Sequence, residues 1–177
     1  MGRIGLAFSL MIGACSCVSI PDSYAPPVQR KPVELELPPV REYIRMSDPI
    51  AMNHVLNDVA TDLHDATWRW TGKRAALRFR VKSVRNRALA VDLTIAEETL
   101  RDTGPVTIRF LVNNRELDKV RYDTPGPRRF EKPVPPEWLK TDFDTLVAFE
   151  IDKLWISKLD GQQFGFILTQ AGFVETR

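Results

Sequence analysis

The sequence contains few residues of the types that most often carry out chemistry. Its only cysteines, Cys15 and Cys17, lie near the N-terminus, and its only histidines are His54 and His64. Beyond residue 17 the chain therefore has no disulfide and no cysteine-based metal or redox site. It also lacks a G-x-S-x-G elbow, an H-E-x-x-H motif and a glycine-rich phosphate loop, so none of these catalytic motifs is present.

The chain carries little excess charge of either sign. Its 25 basic and 23 acidic residues give a formal net charge of +2 over 177 residues. A protein that binds nucleic acid by neutralising phosphates usually has a strongly basic domain. The charge balance thus argues against a nucleic-acid partner, and the 44% hydrophobic content is that of an ordinary globular domain.

Residues 1–14 have the pattern of a secretory signal peptide. Arg3 supplies a short basic region, and the apolar run that follows it is too short to span a bilayer as a helix. The run ends in Ile12-Gly13-Ala14-Cys15, which resembles the lipobox of bacterial lipoproteins. The resemblance implies that Cys15 is diacylated and anchors the protein in a membrane. The alternative is an ordinary cleaved signal peptide with incidental cysteines.

The lipobox resemblance also implies a location outside the cytoplasm. Ser16 rather than Asp follows the lipobox cysteine, which in similar lipoproteins favours the outer membrane when the host has two membranes. Residues 15–39 then predict an extended spacer, because apolar periodicity is nearly absent and prolines are dense. Six of the thirteen prolines lie there: Pro21, Pro26, Pro27, Pro32, Pro38 and Pro39. We therefore expect a signal peptide at 1–14, a lipidated linker at 15–39 and a folded domain at 40–177.

Apolar residues alternate with polar ones in several short segments of the folded part. Residues 68–81 show the pattern first, with a tryptophan pair, a turn predicted at Gly72-Lys73 and a strand in which Leu77, Phe79 and Val81 alternate with arginines. A period of two residues is typical of half-buried strands. The pattern or a related one recurs at residues 89–95, 106–112, 117–122, 128–134, 147–151 and 164–168.

The remaining segments predict turns and short helical pieces. We expect a strand at 40–46, a helical turn at 47–52, and either a strand or the end of that helix at 55–60. Asn113-Asn114 predicts a turn, 124–127 a loop and 135–139 another helical turn. No long amphipathic helix separates the strands. The sequence therefore predicts an all-β fold, an antiparallel β-sandwich of about eight strands.

The later half resembles galactose-binding-like domains, which are jelly-roll β-sandwiches. The resemblance covers roughly residues 67–170 and rests on three segments: 106–114 with Leu117, 130–135 with Leu139, and 144–151. Asp144 stands where such domains usually have Asn. The resemblance implies a jelly-roll sandwich and a carbohydrate-binding or accessory role.

Aromatic and basic side chains on the strands are the candidate ligand-binding residues, because sugar rings stack on aromatic faces while polar groups bind their hydroxyls. The candidates are Trp70, Arg74, Arg78, Trp138 and Trp155. Trp68 and Trp70 share a strand face, which favours a place in the core. Arg69, Arg78 and Arg80 are then expected to face solvent.

Other side chains suggest chemistry that we do not favour. Glu150 with Asp152, or Glu97 with Glu98 in a predicted loop, is a carboxylate pair of the kind that hydrolyses glycosides. Asp142-Phe143-Asp144 is the one candidate for a structural Ca²⁺ site. His54 and His64 are expected to be surface or loop residues, and their spacing to nearby aspartates fits no metal-ligand pattern. We therefore expect no catalytic residue and, calcium aside, no metal or cofactor.

Three functions remain open at this stage. The favoured one is a membrane-anchored envelope lipoprotein whose non-catalytic sandwich binds a glycan or a partner protein. The alternatives are an envelope glycan hydrolase and a purely structural protein of envelope assembly.

Overall fold

The computed structural model describes residues 39–176. The predicted signal peptide, Cys15 and all but the last residue of the predicted linker lie outside the described residues. Within them the chain forms eleven strands and two α-helices. In chain order these are β1 (Tyr43–Arg45), α1 (Ala51–His54), β2 (Val55–Val59), β3 (Arg69–Phe79), β4 (Arg87–Ile95), α2 (Glu97–Thr103), β5 (Val106–Val112), β6 (Arg115–Tyr122), β7 (Gly126–Pro133), β8 (Thr145–Ile151), β9 (Trp155–Ile156), β10 (Gln163–Phe164) and β11 (Ile167–Glu175).

Nine of the strands in this part of the chain form one antiparallel sheet. Its hydrogen-bonded order is β6-β5-β8-β3-β11-β4-β7, with β1 beside β11 and β2 beside β3. Strands β9 and β10 form a separate hairpin. A short 3-10 helix covers Pro136–Trp138. Among residues 39–176, no helix combines the length and apolarity needed to cross a membrane.

Strand β3 connects the two halves of the sheet. Its first residues, Arg69 and Trp70, pair with β11, and its residues from Arg74 to Phe79 pair with β8. The predicted turn at Gly72-Lys73 is therefore wrong, because the strand passes through it without reversing. A Cβ added at Gly72 would lie 2.7 Å from the carboxyl carbon of the exposed Asp58, so that side chain would have to move.

The two halves of the sheet pack face to face around a phenylalanine-rich core. Phe110 of β5 stacks on Phe130 of β7 with ring centroids 3.7 Å apart, although these strands lie near opposite ends of the sheet order. The end strands are also joined by a salt bridge of 2.7 Å between Lys132 and Asp118. The sheet is thus folded over into a nearly closed β-sandwich. The predicted all-β antiparallel sandwich is confirmed.

The two-residue period correctly identifies the core side of the central strands. In β5 the residues Val106, Ile108, Phe110 and Val112 are all fully buried. Each such side chain removed from water contributes about 1.5–3 kcal/mol. Burial of the apolar faces of the alternating strands between the two halves of the sandwich therefore supplies the main driving force for folding.

Some boundaries differ from the predictions. The loop expected at Glu97 and Glu98 is helix α2, whose first turn carries both acids and whose last turn carries Arg101, a charge order that suits the helix dipole. The undecided segment 55–60 is mainly strand. The last strand is longer than predicted and is interrupted at Gly165, so that 164 ends β10 and 167 begins β11. The helical turns expected near 50 and 136 are confirmed.

Candidate functional site

A cluster of aromatic rings lies where β3 passes from one half of the sheet to the other. We call it the aromatic edge and define it as His64, Trp68, Trp70, Trp155 and Phe164. The Trp70 ring is central, with centroid distances of 4.9 Å to Phe164, 5.6 Å to Trp68 and 6.2 Å to Trp155. All five side chains are half-buried, in contrast to the fully buried phenylalanines of the core.

The predicted core position of Trp68 and Trp70 is wrong. Both indoles are half-buried in the aromatic edge, whereas Arg69 between them is buried. The Arg69 guanidinium donates to the backbone carbonyl of Met46 at 3.3 Å and also to that of Thr61. These bonds compensate for the loss of water around a buried cation. Polarity alone would assign this side of β3 to solvent. Arg69 is nevertheless buried there, because backbone carbonyl groups accept its hydrogen bonds.

Thr71 is also buried, and it fixes the backbone under the aromatic edge. Its hydroxyl donates to the carbonyl of Phe166 at 2.8 Å and accepts from the backbone N–H of the same residue at 2.9 Å. Gly165 makes this approach feasible, because an added Cβ would lie 2.6 Å from the carbonyl oxygen of Gly72. The close contact holds Phe164, the residue before Gly165, against Trp70.

The hairpin of β9 and β10 supplies the other two large rings. Trp155 and Phe164 are cross-strand partners whose rings stack at 5.6 Å. The Trp155 indole N–H donates to Asp102 of α2 at 3.0 Å. Hydrogen bonds from Arg101 and then from Trp155 lower the pKa of Asp102 below its usual range. The indole is therefore oriented by an ionised carboxylate.

A groove of 280 Å³ lies beside the aromatic edge. Trp70 and Phe164 line it together with Asp58, Gln162 and Gln163. Rings on one side and carboxylate and amide groups on the other suit a ligand with an apolar face and hydroxyl groups at its rim.

A second concave surface lies on the outer face of the β3-β8-β5-β6 half. It has a volume of 460 Å³, and we call it the basic cleft. Its centre is a row of cross-strand partners in which Arg74 pairs with Glu150, Glu150 with Arg109, and Arg109 with Lys119. Lys73, Thr107, Ile151 and Asp152 complete the lining.

The two carboxylates of the cleft are occupied by neighbouring groups. Glu150 accepts from Arg109 at 3.0 Å and lies 3.2 Å from Arg74. Asp152 accepts from the backbone N–H of Thr107 at 2.7 Å. Both carboxylates come from β8 or the residue just after it, so they share one wall. An acid and base pair needs two carboxyl groups on either side of a sugar bond.

Two of the predicted ligand-binding residues lie away from these surfaces. Arg78 donates to the carbonyl of Asn53 at 2.9 Å and lies 3.7 Å from Asp144. Trp138 lies beside the β5–β6 turn, where its carbonyl accepts from the Asn113 side chain and Arg115 lies 5.6 Å over its ring. Trp70 and Trp155 meet at the aromatic edge, and Arg74 lies in the basic cleft.

The candidate metal residues have protein partners instead. Asp144 forms salt bridges with Arg80 at 2.7 Å and with Arg78, and this positive surrounding disfavours a calcium ion. Among residues 39–176, no cluster of three or more His, Cys, Asp or Glu side chains is placed to hold a metal.

The expectation for His54 is wrong, because this histidine is fully buried rather than at the surface. Its Nδ1 lies 2.9 Å from the carbonyl of Arg78, and its Nε2 accepts from the backbone N–H of Arg41. These partners correspond to a neutral ring with its proton on Nδ1. Burial lowers the pKa of His54. His64, by contrast, stacks on Trp68 at 4.4 Å in the aromatic edge.

The sequence did not identify Phe164, Arg109 and Lys119 as members of these surfaces. The two-residue period places Phe164 in a strand at 164–168, and the other two residues lie on strands β5 and β6. Their positions depend on strand register and on the hairpin, neither of which a residue pattern specifies. The strand partner of Arg74, Glu150, was considered only as a possible acid or base.

Comparison with known proteins assigns this domain to no family. No protein-family model matches the chain, and no curated protein sequence matches it. One solved structure with a similar arrangement is a family GH115 4-O-methyl-α-glucuronidase with specificity for decorated arabinogalactans, at 11% identity and a TM-score of 0.45. The match covers 88% of this chain but 19% of that enzyme. Likeness at this level does not bear on function. The domain is described by its architecture, an antiparallel β-sandwich.

Proposed function

We propose that this chain is an envelope lipoprotein, anchored through acylated Cys15, whose β-sandwich binds a glycan without cleaving it. The lipobox-like residues and the proline-rich spacer support the anchor. The aromatic edge with its groove is the observation that supports glycan binding.

The aromatic edge has the two features that a sugar site needs. Half-buried rings of Trp70, Trp155 and Phe164 offer apolar faces, and the adjoining groove offers amide and carboxylate groups for hydroxyls. The Trp155 indole is already held by Asp102. A ring held in place before binding loses little conformational entropy when a ligand stacks on it.

The arrangement of the carboxylates favours binding over hydrolysis. Glu150 and Asp152 share one wall of the basic cleft, and each already accepts a hydrogen bond or salt bridge. An envelope hydrolase would use two carboxyl groups about 5–10 Å apart on either side of the scissile bond. A purely structural role remains the alternative if no ligand binds.

Glycan binding is tested with the full chain in a non-ionic detergent. Affinity gels and tryptophan fluorescence with envelope polysaccharides should show binding to the wild type. Trp70→Ala and Trp155→Ala should each weaken it at least about ten-fold, which corresponds to about 1.4 kcal/mol. Trp138→Ala is the matched control, because this tryptophan lies away from the edge, and it should bind as the wild type does. Equal losses in all three variants, or no binding to any polysaccharide, would contradict the proposal.

A partner protein is the second candidate ligand of the domain. The β9–β10 hairpin exposes Ile156 by 55% and Leu159 by 95%. These two exposed apolar side chains on one hairpin motivate a protein contact as the second candidate. Crosslinking from the exposed position 158 in envelope membranes should then capture a defined protein, and Leu159→Asp should abolish that product while leaving glycan binding intact.

Anchoring is tested separately from binding. The wild-type chain expressed in a bacterium should fractionate with membranes, and mass spectrometry of its N-terminal peptide should show acyl chains on Cys15. Cys15→Ser should abolish this acylation, whereas Cys17→Ser should leave it unchanged. Absence of acyl chains from Cys15 of the wild type would reject the lipid anchor.

A further inference from the structure

We infer that the basic cleft binds the acidic groups of an anionic polysaccharide, so that the ligand of this domain is an acidic rather than a neutral glycan. The inference rests on the proposed glycan-binding function and specifies its ligand. The chemistry it requires is an oxyanion carried on a sugar, either a carboxylate or a sulfate or phosphate ester.

The charges of the cleft are unbalanced toward the positive side. Of its eight lining residues, four are cationic and two are carboxylates. One carboxylate, Glu150, pairs with both arginines of the row, Arg74 and Arg109, and the rim residue Glu116 also binds Arg109 at 2.7 Å. The other, Asp152, accepts from the backbone N–H of Thr107. Among residues 39–176, neither Lys73 nor Lys119 forms a salt bridge with a carboxylate. Lys73 donates only to the backbone carbonyl of Asp152. Two ammonium groups therefore remain for an anion.

Strand register holds the row in a fixed geometry. Arg74, Glu150, Arg109 and Lys119 are direct partners on four neighbouring strands. Neighbouring strands lie about 4.8 Å apart, so the row spans roughly 14 Å across the sheet. Glu150 lies between the two guanidinium groups and orients both. The cleft is thus a rigid surface with one carboxylate between two guanidinium groups, and its outer member, the Lys119 ammonium group, is available.

The cleft adjoins the aromatic edge along two segments of the chain. Thr71 and Gly72 line the groove of the aromatic edge, and the next two residues, Lys73 and Arg74, line the cleft. On the other side, the chain runs from Asp152 in the cleft to Trp155 in the edge within three residues. Trp70 and Lys73 are separated by about 10 Å along an extended strand. A short oligosaccharide stacked at the edge can therefore place an acidic group in the cleft.

The rest of the described surface argues for a glycan rather than an extended polyanion such as nucleic acid. Several basic side chains on the strands outside the cleft have carboxylate partners: Arg78 and Arg80 with Asp144, Arg121 with Asp123, Arg129 with Asp92, and Lys132 with Asp118. The cleft itself has four cations against two carboxylates, and the chain as a whole has a formal net charge of only +2.

The inference is tested with matched pairs of polymers on the full chain in non-ionic detergent. Polygalacturonate is compared with its methyl ester, and dextran sulfate with dextran, by isothermal titration at low and moderate salt. At least one acidic polymer should bind about ten-fold or more tightly than its neutral form, and the preference should shrink as salt rises. Preference within the first pair identifies a carboxylate ligand and within the second a sulfate-like ester.

Variants assign the preference to the cleft. Lys119→Ala and Lys73→Ala should each reduce binding of the acidic polymer several-fold, and Lys119→Glu should reduce it further. Lys82→Ala removes the same charge from an exposed site outside the cleft and should have no effect. Lys119 is exposed, so circular dichroism should show unchanged folding.

The outcomes separate the inference from the function on which it rests. Equal affinity for acidic and neutral polymers overturns the inference and leaves glycan binding standing. An equal loss in Lys82→Ala and Lys119→Ala overturns it as well, because the effect is then one of net charge alone. No binding to any polymer overturns both.

Discussion

This domain contains two groups of aromatic rings that differ in burial and in polar contacts. The core phenylalanines, such as Phe79, Phe110 and Phe149, are fully buried and contact other rings of the core. The rings of the aromatic edge are half-buried, and the indole N–H groups of Trp68 and Trp155 donate to Asp65 and Asp102.

The difference shows which aromatic residues are available for binding. A phenyl ring has no polar atom and gains most when it is fully removed from water. An indole needs a partner for its N–H when buried, and it suits a surface where one side is apolar and the other is wet. Truncation in the core should therefore reduce stability, and truncation at the edge should mainly reduce binding. The predictions below test this contrast.

The largest expected effect is in the core. Phe110→Ala removes a ring that stacks on Phe130 and packs against Phe149, and it should lower the free energy of unfolding by about 3–5 kcal/mol. Urea denaturation of the full chain measures this. Phe143→Ala is the control, because that ring is 65% exposed, and its effect should stay within about 0.5 kcal/mol. Similar values for the two variants would contradict the core assignment.

A smaller effect is expected under the aromatic edge. In Gly165→Ala the new Cβ would lie 2.6 Å from the Gly72 carbonyl oxygen and 2.8 Å from the Thr71 hydroxyl, so the backbone must shift. We expect a loss of about 1–3 kcal/mol together with altered tryptophan fluorescence, because Phe164 moves relative to Trp70. An unchanged spectrum with unchanged stability would show that the two segments do not approach so closely.

The two histidines extend the comparison to pH, since His54 packs against Phe79 in the core and His64 lies on the edge. The folded-state pKa of His54 is lowered, so the unfolded chain binds more protons between that lowered pKa and the ordinary value near 6.5. Stability should therefore fall as the pH is lowered from about 6.5 through that interval. Protonation would also place a second N–H at Nε2 against the N–H of Arg41.

Thermal melts of the wild type between pH 7.5 and 5 measure this dependence. His54→Gln should flatten the slope in that range. A slope that persists unchanged in the His54 variant would contradict the assignment.

The smallest effect is expected for removal of one polar contact at the edge. Trp155→Phe keeps a ring but loses the hydrogen bond to Asp102, and it should cost about 0.5–1.5 kcal/mol. Denaturation measures the change, and Asp102→Asn, which keeps an acceptor, should cost less. A loss as large as that of Phe110→Ala would place Trp155 in the core.

The fold was largely predictable from local pattern, and the exceptions share a cause. The period of two residues identifies the buried side of β5 correctly, because each of its side chains meets either core or solvent. The same rule fails at β3, where Arg69 and Thr71 find backbone partners inside the protein. Alternation indicates which residues share a face. It does not indicate which face is buried when polar side chains can be satisfied internally.

Helix α2 and the continuity of β3 illustrate a second limit. The seven residues of α2 form less than two full turns after a short loop, too few for a recognisable apolar period. Gly72-Lys73 has the composition of a turn, but Gly72 lies inside β3, where the Asp58 carboxylate approaches it closely. Only contact with a distant segment distinguishes these two uses of glycine.

By itself, the sequence determined that this is an antiparallel β-sandwich, because strand period and the absence of long amphipathic helices are local properties. It also placed Trp70, Trp155 and Arg74 among the candidates. The tertiary structure alone decided which of them lie together. The basic cleft depends on register across four strands, and the aromatic edge depends on a hairpin that returns to β3 from about ninety residues away. Residues so distant in the chain become neighbours only when the sheet folds over, and no local pattern encodes that contact.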